Sequence, residues 1–187
     1  MLYGADFRVK RGIMAVHLVL GGARSGKSAY AQRAAETAAA AAGRVPVLIA
    51  TAEALDDEMT ARIAAHRQSR GPQWTTIEAP VALAQAIKDA PPGSFVVVDC
   101  LTLWMSNLLM HNANVDVAVD DLLAAVATTS GELWLVSNEV GLGLVPETPL
   151  GRAFRDAAGR LHQRLAAVAD EVVLLVAGLP LTVKARR

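Results

Sequence analysis

The chain has 187 residues, 53% of them hydrophobic, with 18 basic and 18 acidic side chains and a formal net charge of zero. That length suits one compact domain with a sizeable core, and the apolar content excludes global disorder. Balanced charge argues against nucleic-acid binding driven by bulk electrostatics, and no apolar run reaches the length of a transmembrane helix. A cytoplasmic protein with no nucleic-acid partner and no stable membrane insertion is therefore expected. The lone Cys100 has no partner for an internal disulfide, in keeping with that compartment.

Residues 1–13 contain Asp6, Arg8, Lys10 and Arg11 and lack the apolar core of a secretory signal. They are expected to form a disordered N-terminal extension, with Met14 as an alternative start and 14–187 as a single catalytic domain. A buried strand is predicted over Val16–Leu20, a helix over Lys27–Ala42 stopped by Gly43, and a strand over Pro46–Ala50. The run from Asp56 to Arg67 puts acids first and bases last, as a helix dipole favours. Leu55, Met59, Ile63 and His66 share its apolar stripe.

A short extended piece follows near Trp74–Glu78, then a helix over Val81–Lys88 closed by Pro91-Pro92-Gly93. Phe95–Cys100 is a buried strand ending in an acid, Leu101–Leu109 is helical, and 111–120 is a loop or the start of a helix. Glu132–Ser137 is a strand and Asn138–Pro149 a loop. A helix is predicted over Leu150–Val168, with Leu150, Phe154, Ala158, Leu161, Leu165 and Val168 on one side. Glu171–Ala177 is a strand and Leu181–Lys184 an edge strand. Alternation of strands and helices predicts an α/β, three-layer sandwich with a mostly parallel central sheet.

Gly21-Gly22-Ala23-Arg24-Ser25-Gly26-Lys27-Ser28 matches the phosphate-binding loop G-x-x-x-x-G-K-[ST], between a strand and a helix as that motif requires. Its glycines let several backbone N–H groups face one anion, and the following helix adds its positive end. In this pattern Lys27 reaches the β- and γ-phosphates and Ser28 holds Mg²⁺. Asp99, at a strand's carboxyl end, is a second candidate metal residue; a plain helix N-cap is its competing reading.

His66 reads either as a core histidine packed on Ile63 or as a functional group, since Arg67 and Arg70 follow and suit a second anionic ligand. A neutral imidazole attacks phosphorus to give a phosphoramidate. His17, His111 and His162 have no comparable setting in the sequence. Thr51-Ala52-Glu53 lies at the sheet's carboxyl edge, where ligands bind. Glu78 is either an acceptor for guanine N1–H and exocyclic amine or a solvated charge. The Asn138–Pro146 loop, with Gly141 and Gly143, is favoured as functional because it too leaves a strand's carboxyl end.

Together, Gly21–Ser28, Ile49-Ala-Thr51, Leu55–Met59, Arg62-Ile-x-x-His66, Ser137–Glu147 and Phe154–Asp170 closely resemble one family. This is the bifunctional adenosylcobinamide kinase/adenosylcobinamide-phosphate guanylyltransferase family of cobalamin biosynthesis, and the resemblance spans about residues 16–184. It implies phosphorylation of adenosylcobinamide with ATP or GTP. Transfer of GMP from GTP through a guanylyl-histidine to adenosylcobinamide phosphate would follow, releasing pyrophosphate and giving adenosylcobinamide-GDP. It places the guanylylated residue at His66, preceded here by Ala65 where some relatives carry a second histidine. It assigns nucleotide binding to Gly21–Ser28, to Thr51, Ala52 and Glu53, to Arg67, Gln68, Ser69 and Arg70, and to Glu78 and Asp99. Relatives often carry Glu at the position of Asp99; the shorter Asp implies a metal contact through water. A homo-oligomer, a trimer, is also implied. The runner-up is a simple small-molecule kinase with His66 structural; a nucleotide-dependent switch or scaffold is a third reading.

Overall fold

The computed structural model describes residues 15–53 and 73–186. The expected N-terminal extension, the helix predicted from Asp56, and His66, Arg67, Gln68, Ser69 and Arg70 lie outside the described residues. Strands β1 (Val16–Gly21), β2 (Val47–Ala50), β3 (Thr75–Glu78), β4 (Phe95–Asp99), β5 (Glu132–Asn138), β6 (Glu171–Val176) and β7 (Leu179–Lys184) form one sheet in the order β3-β2-β4-β5-β1-β6-β7. All neighbours pair in parallel except β6 and β7, which form an antiparallel hairpin. The expected three-layer, mostly parallel α/β architecture is what the chain adopts. Among the described residues no helix is long and apolar enough to cross a membrane.

The helices among the described residues are α1 (Lys27–Ala41), α2 (Leu83–Asp89), α3 (Leu101–Met110), α4 (Val115–Thr128) and α5 (Pro149–Val168). Helix α1 covers one face of the sheet. Its buried stripe Ala31, Ala35 and Ala39 recurs every four residues, and such small side chains let the helix lie against Val19, Val97, Trp134 and Val173. The opposite face packs against α2 to α5, through residues such as Leu83, Trp104, Leu122 and Leu161. Strands buried on both faces read as continuous apolar runs, as Val96-Val97-Val98 does.

The segment read as a loop or a helix start resolves as α4, opened by Asn114, whose side chain accepts from the Val117 N–H. Helix α5 opens at Thr148, which caps Gly151, with Pro149 in the first turn, where a missing N–H is harmless. Its predicted apolar stripe needs one correction: Leu150 is exposed, whereas Ala158, Leu161 and Leu165 are buried. The first turn continues from an exposed segment carrying Leu142, Leu144 and Val145, so the core-facing stripe begins one turn later, at Phe154.

Parallel pairing puts the ends of β1, β2, β4 and β5 along one edge. Gly21 is level with Asn138, Asp99 with Ala50 and Val136, and Ala50 with Glu78. Every described sequence candidate therefore falls on the same carboxyl edge, where open α/β sheets bind ligands.

Candidate nucleotide-binding and phosphoryl-transfer site

The Gly21–Ser28 loop leaves β1 and turns into α1. Gly21 has φ 154°, and an added Cβ would sit 2.6 Å from both the Leu175 carbonyl oxygen and Ser25 Oγ. Only glycine lets the chain pass this close to β6. Gly26, with φ 96°, precedes the first turn of α1, and no side chain caps that turn. Its N–H groups are thus available to an anion, as a phosphate cradle requires. Gly22, Ala23, Arg24 and Gly26 are exposed at the lip, whereas Ser25 and Lys27 are buried.

The β6–β7 turn braces this loop from behind. Ala177 and Gly178 both have positive φ, 51° and 83°, as a tight two-residue hairpin requires. The Gly178 N–H donates to the Ser25 carbonyl at 3.0 Å. Nothing in the sequence motif points to this support, which comes from residues about 150 positions downstream.

Lys27 Nζ donates to the Gly22 carbonyl at 2.5 Å and lies 3.4 Å from Ser25 Oγ. Burial lowers its pKa, opposed by Cys100 and by the Asp99 carboxylate. Among the described residues no carboxylate lies within ion-pairing distance of it. A desolvated ammonium with neutral partners favours an incoming polyanion.

Asp99 ends β4, and the N-cap of α3 is Cys100, which makes no side-chain capping bond. The competing role of Asp99 as a helix cap is therefore not used. Thr51 is fully buried; its hydroxyl donates to the Cys100 carbonyl at 2.7 Å and accepts from the Cys100 N–H at 2.8 Å. It ties the end of β2 to the end of β4. Asn107 Nδ2 adds to this clamp by donating to the carbonyls of Thr51 and Pro80. Glu53 Oε1 lies 3.0 Å from His111 Nε2, and Ala52 and Glu53 are half-buried beside it. Glu78 is exposed at the end of β3, level with Ala50.

At the end of β5, Asn138 Nδ2 donates to Thr102 Oγ1 at 2.9 Å, and the Glu139 N–H donates to the Gly21 carbonyl at 2.9 Å. The loop favoured as functional thus starts hydrogen-bonded to the phosphate loop. Two buried histidines gain settings that sequence reasoning missed. His17 stands between Glu132 and Glu171, and His162 contacts Ser137. The available cue for His162 was its place on the buried stripe of α5 beside Leu161 and Leu165.

A family described as cobinamide kinase / cobinamide phosphate guanyltransferase, CobU, matches residues 17–183. The bifunctional adenosylcobalamin biosynthesis protein CobP of Pseudomonas aeruginosa is 46% identical over 170 residues, covering 89% of this chain and 96% of that protein. The bifunctional adenosylcobalamin biosynthesis proteins CobU of Salmonella typhimurium and Escherichia coli are 42% and 40% identical, each match covering 89% of this chain and 98% of the relative. Among solved structures, the flagellar accessory protein FlaH from Methanocaldococcus jannaschii superposes with a TM-score of 0.50 at 15% identity, covering 97% of this chain and 84% of FlaH, a likeness of fold alone. A braced phosphate loop, an acid at the end of β4 and family-wide similarity along nearly the whole domain converge: this chain belongs to the cobinamide kinase/cobinamide phosphate guanyltransferase family, a family of bifunctional transferases.

Proposed function

We propose that the protein phosphorylates adenosylcobinamide with ATP or GTP and then guanylylates the product, giving adenosylcobinamide-GDP and pyrophosphate. The observation that carries this reading is the Gly21–Ser28 loop, with its uncapped helix start and its buried Lys27, whose hydrogen-bond partners among the described residues are the Gly22 carbonyl and Ser25 Oγ. Phosphoryl transfer needs mainly positioning and charge neutralisation, and these groups supply both. Ser28 and Asp99 fit Mg²⁺ by donor type. Both are hard oxygen ligands, and no cluster of three His, Cys, Asp or Glu exists among the described residues, so phosphate oxygens and water would complete the shell. Bound Mg²⁺ would neutralise charge on the phosphates.

In the second reaction His66 attacks the α-phosphorus of GTP; a nitrogen–phosphorus bond forms and pyrophosphate leaves. A phosphate oxygen of adenosylcobinamide phosphate then displaces the imidazole. Arg67, Gln68, Ser69 and Arg70 are assigned to nucleotide phosphates, Glu78 to the guanine edge, and Thr51, Ala52 and Glu53 to the wall of the site. Incubation with GTP followed by intact-mass measurement tests the scheme. An acid-labile GMP adduct on the parent protein, absent from His66→Ala, is the expected result. A protein that releases only nucleoside diphosphate and never carries GMP would be the simpler kinase.

The same reading includes a homo-oligomer, a trimer. Strand β7 ends the sheet, with no further strand on its outer side among the described residues, and it exposes Leu179, Leu181 and Val183, with Leu142 and Leu144 exposed on the 139–148 segment. An apolar edge of this kind is ordinarily covered by another chain. Light scattering on the purified protein would give the stoichiometry; a monomer at all concentrations would remove this part.

A further inference from the structure

Ser137, Glu139 and His162 form a linked group at the carboxyl edge that neither the phosphate loop nor the guanylylated histidine accounts for. Ser137 Oγ lies 2.7 Å from His162 Nε2, and both side chains are buried. On the far side of the ring, Nδ1 lies 3.7 Å from Glu139 Oε2. The nitrogen facing a carboxylate carries the proton, so Nε2 accepts from the Ser137 hydroxyl. Burial lowers the pKa of His162, with Glu139 acting in the opposite sense, so the ring is neutral at neutral pH. Glu139 Oε1 accepts from the Gly141 N–H at 2.5 Å, and its own N–H holds the Gly21 carbonyl. The carboxylate is thus approached by Gly141 and His162 while the backbone of Glu139 is tied to the first residue of the phosphate loop, and its side chain is 22% exposed.

The two transfers make different demands. A phosphate acceptor is already anionic and needs no base. A hydroxyl acceptor must lose a proton as its oxygen bonds to phosphorus. The other described acids of this edge have roles in the proposed scheme: Asp99 is assigned to Mg²⁺, Glu78 to the guanine edge, and Glu53 holds His111. We propose that Glu139 is the proton acceptor for the phosphorylation step, with His162 and Ser137 as positioning residues that hold its carboxylate. The proposal rests on the reading given above. In this step the acceptor oxygen bonds to the γ-phosphorus while its O–H bond breaks and the proton passes to a Glu139 carboxylate oxygen. The bond from the γ-phosphorus to the bridging oxygen breaks, and the nucleoside diphosphate leaves with that electron pair. Glu139 then returns its proton to solvent.

Two assays on the full-length protein separate the outcomes: phosphorylation of adenosylcobinamide, and guanylylation of preformed adenosylcobinamide phosphate. Glu139→Gln keeps an acceptor for Gly141 but is no base. It is expected to lower kcat of phosphorylation about 100-fold, with the nucleotide KM and the guanylylation rate retained. His162→Gln, which offers an N–H toward the carboxylate and an acceptor for Ser137, is expected to keep more phosphorylation kcat than His162→Leu, which fills the space and offers neither. Equal loss of both transfers in Glu139→Gln, no loss in either, or identical phosphorylation by the two His162 variants would overturn the assignment. A parent protein that performs neither transfer would instead overturn the underlying reading.

Discussion

The two ends of β1 place a basic side chain in opposite surroundings. Near the amino end, His17 stacks on Trp134 with ring centroids 4.9 Å apart, and its two nitrogens lie 2.8 and 2.9 Å from carboxylate oxygens of Glu171 and Glu132. Beyond the carboxyl end, Lys27 has a carbonyl and a hydroxyl for partners. Burial opposes both positive charges. At His17 the two carboxylates outweigh it and the pKa is raised; at Lys27 burial prevails and the pKa is lowered. One end satisfies its charge internally; at the other, no acid among the described residues pairs with Lys27, which is the arrangement expected of the proposed phosphate site rather than of a structural ion pair.

The largest effect should come from Lys27→Met, which keeps the stem and removes the ammonium. Loss of a preorganised cation at a transferring phosphoryl group is expected to lower turnover by about 10²–10³-fold. Stability should hold or rise, because folding already disfavours the charged form there and the Gly22 residue it bonds is exposed to water. Steady-state kinetics and thermal melts on the same sample check both halves. An inactive and strongly destabilised variant would mean that Lys27 belongs with His17 as a structural charge.

Next in size is Gly21→Ala. Its Cβ would meet the Leu175 carbonyl and Ser25 Oγ, forcing the loop away from β6. A destabilisation of about 2 kcal/mol is expected, with weaker nucleotide binding, read from denaturant melts with and without nucleotide. A variant with unchanged stability and affinity would show that the contact with β6 does not shape the cradle.

Much of this edge was legible in the sequence. Glycines, Lys27 and Ser28 at fixed spacing behind an apolar strand define a local structure, and Asp99 closes a run whose length marks it as a strand. What stayed hidden depends on partners distant in the chain. Glu132 and Glu171 reach His17 only because β5 and β6 flank β1, and Ser137 meets His162 only because α5 folds back over β5. The brace from Gly178 is of the same kind: no local pattern says which loop a hairpin turn will touch. Leu150 fits the helical period of α5 and is nevertheless exposed, because periodicity reports which side of a helix is apolar and not where the sheet beneath it ends.

His17→Leu tests the structural edge. Without the imidazole, Glu132 and Glu171 face each other beside an apolar side chain. A loss of about 2 kcal/mol is expected near pH 6, with catalysis unaffected. The sign follows from the raised pKa of the folded state. The contribution of His17 is complete below its unfolded value of about 6.5 and is lost as pH rises through the folded value. The gap between parent and variant should therefore narrow above pH 6.5. His162 behaves in reverse: its contribution is complete above about pH 6.5 and is lost as pH falls through its lowered folded value. Urea melts across pH 5–9 would read both. A gap for His17→Leu that widens with alkaline pH would contradict the ion-paired assignment.

The smallest expected effect sharpens the contrast from a neutral direction. Thr148 caps α5 by accepting from the Gly151 N–H at 3.1 Å, and Asn114 caps α4 by accepting from the Val117 N–H at 3.2 Å. Alanine at either position removes one capping bond and should cost about 1 kcal/mol of stability. The two helices differ in what they carry. Helix α5 bears His162 and follows the loop that begins at Glu139, whereas α4 contributes Val119, Leu122 and Val126 to the core. Equal stability losses with a phosphorylation defect in Thr148→Ala alone would show that the carboxyl edge is sensitive to small displacements where the rest of the molecule is not. Equal losses with equal activity would place that sensitivity within the Ser137–His162–Glu139 contacts themselves, independent of how the helix begins.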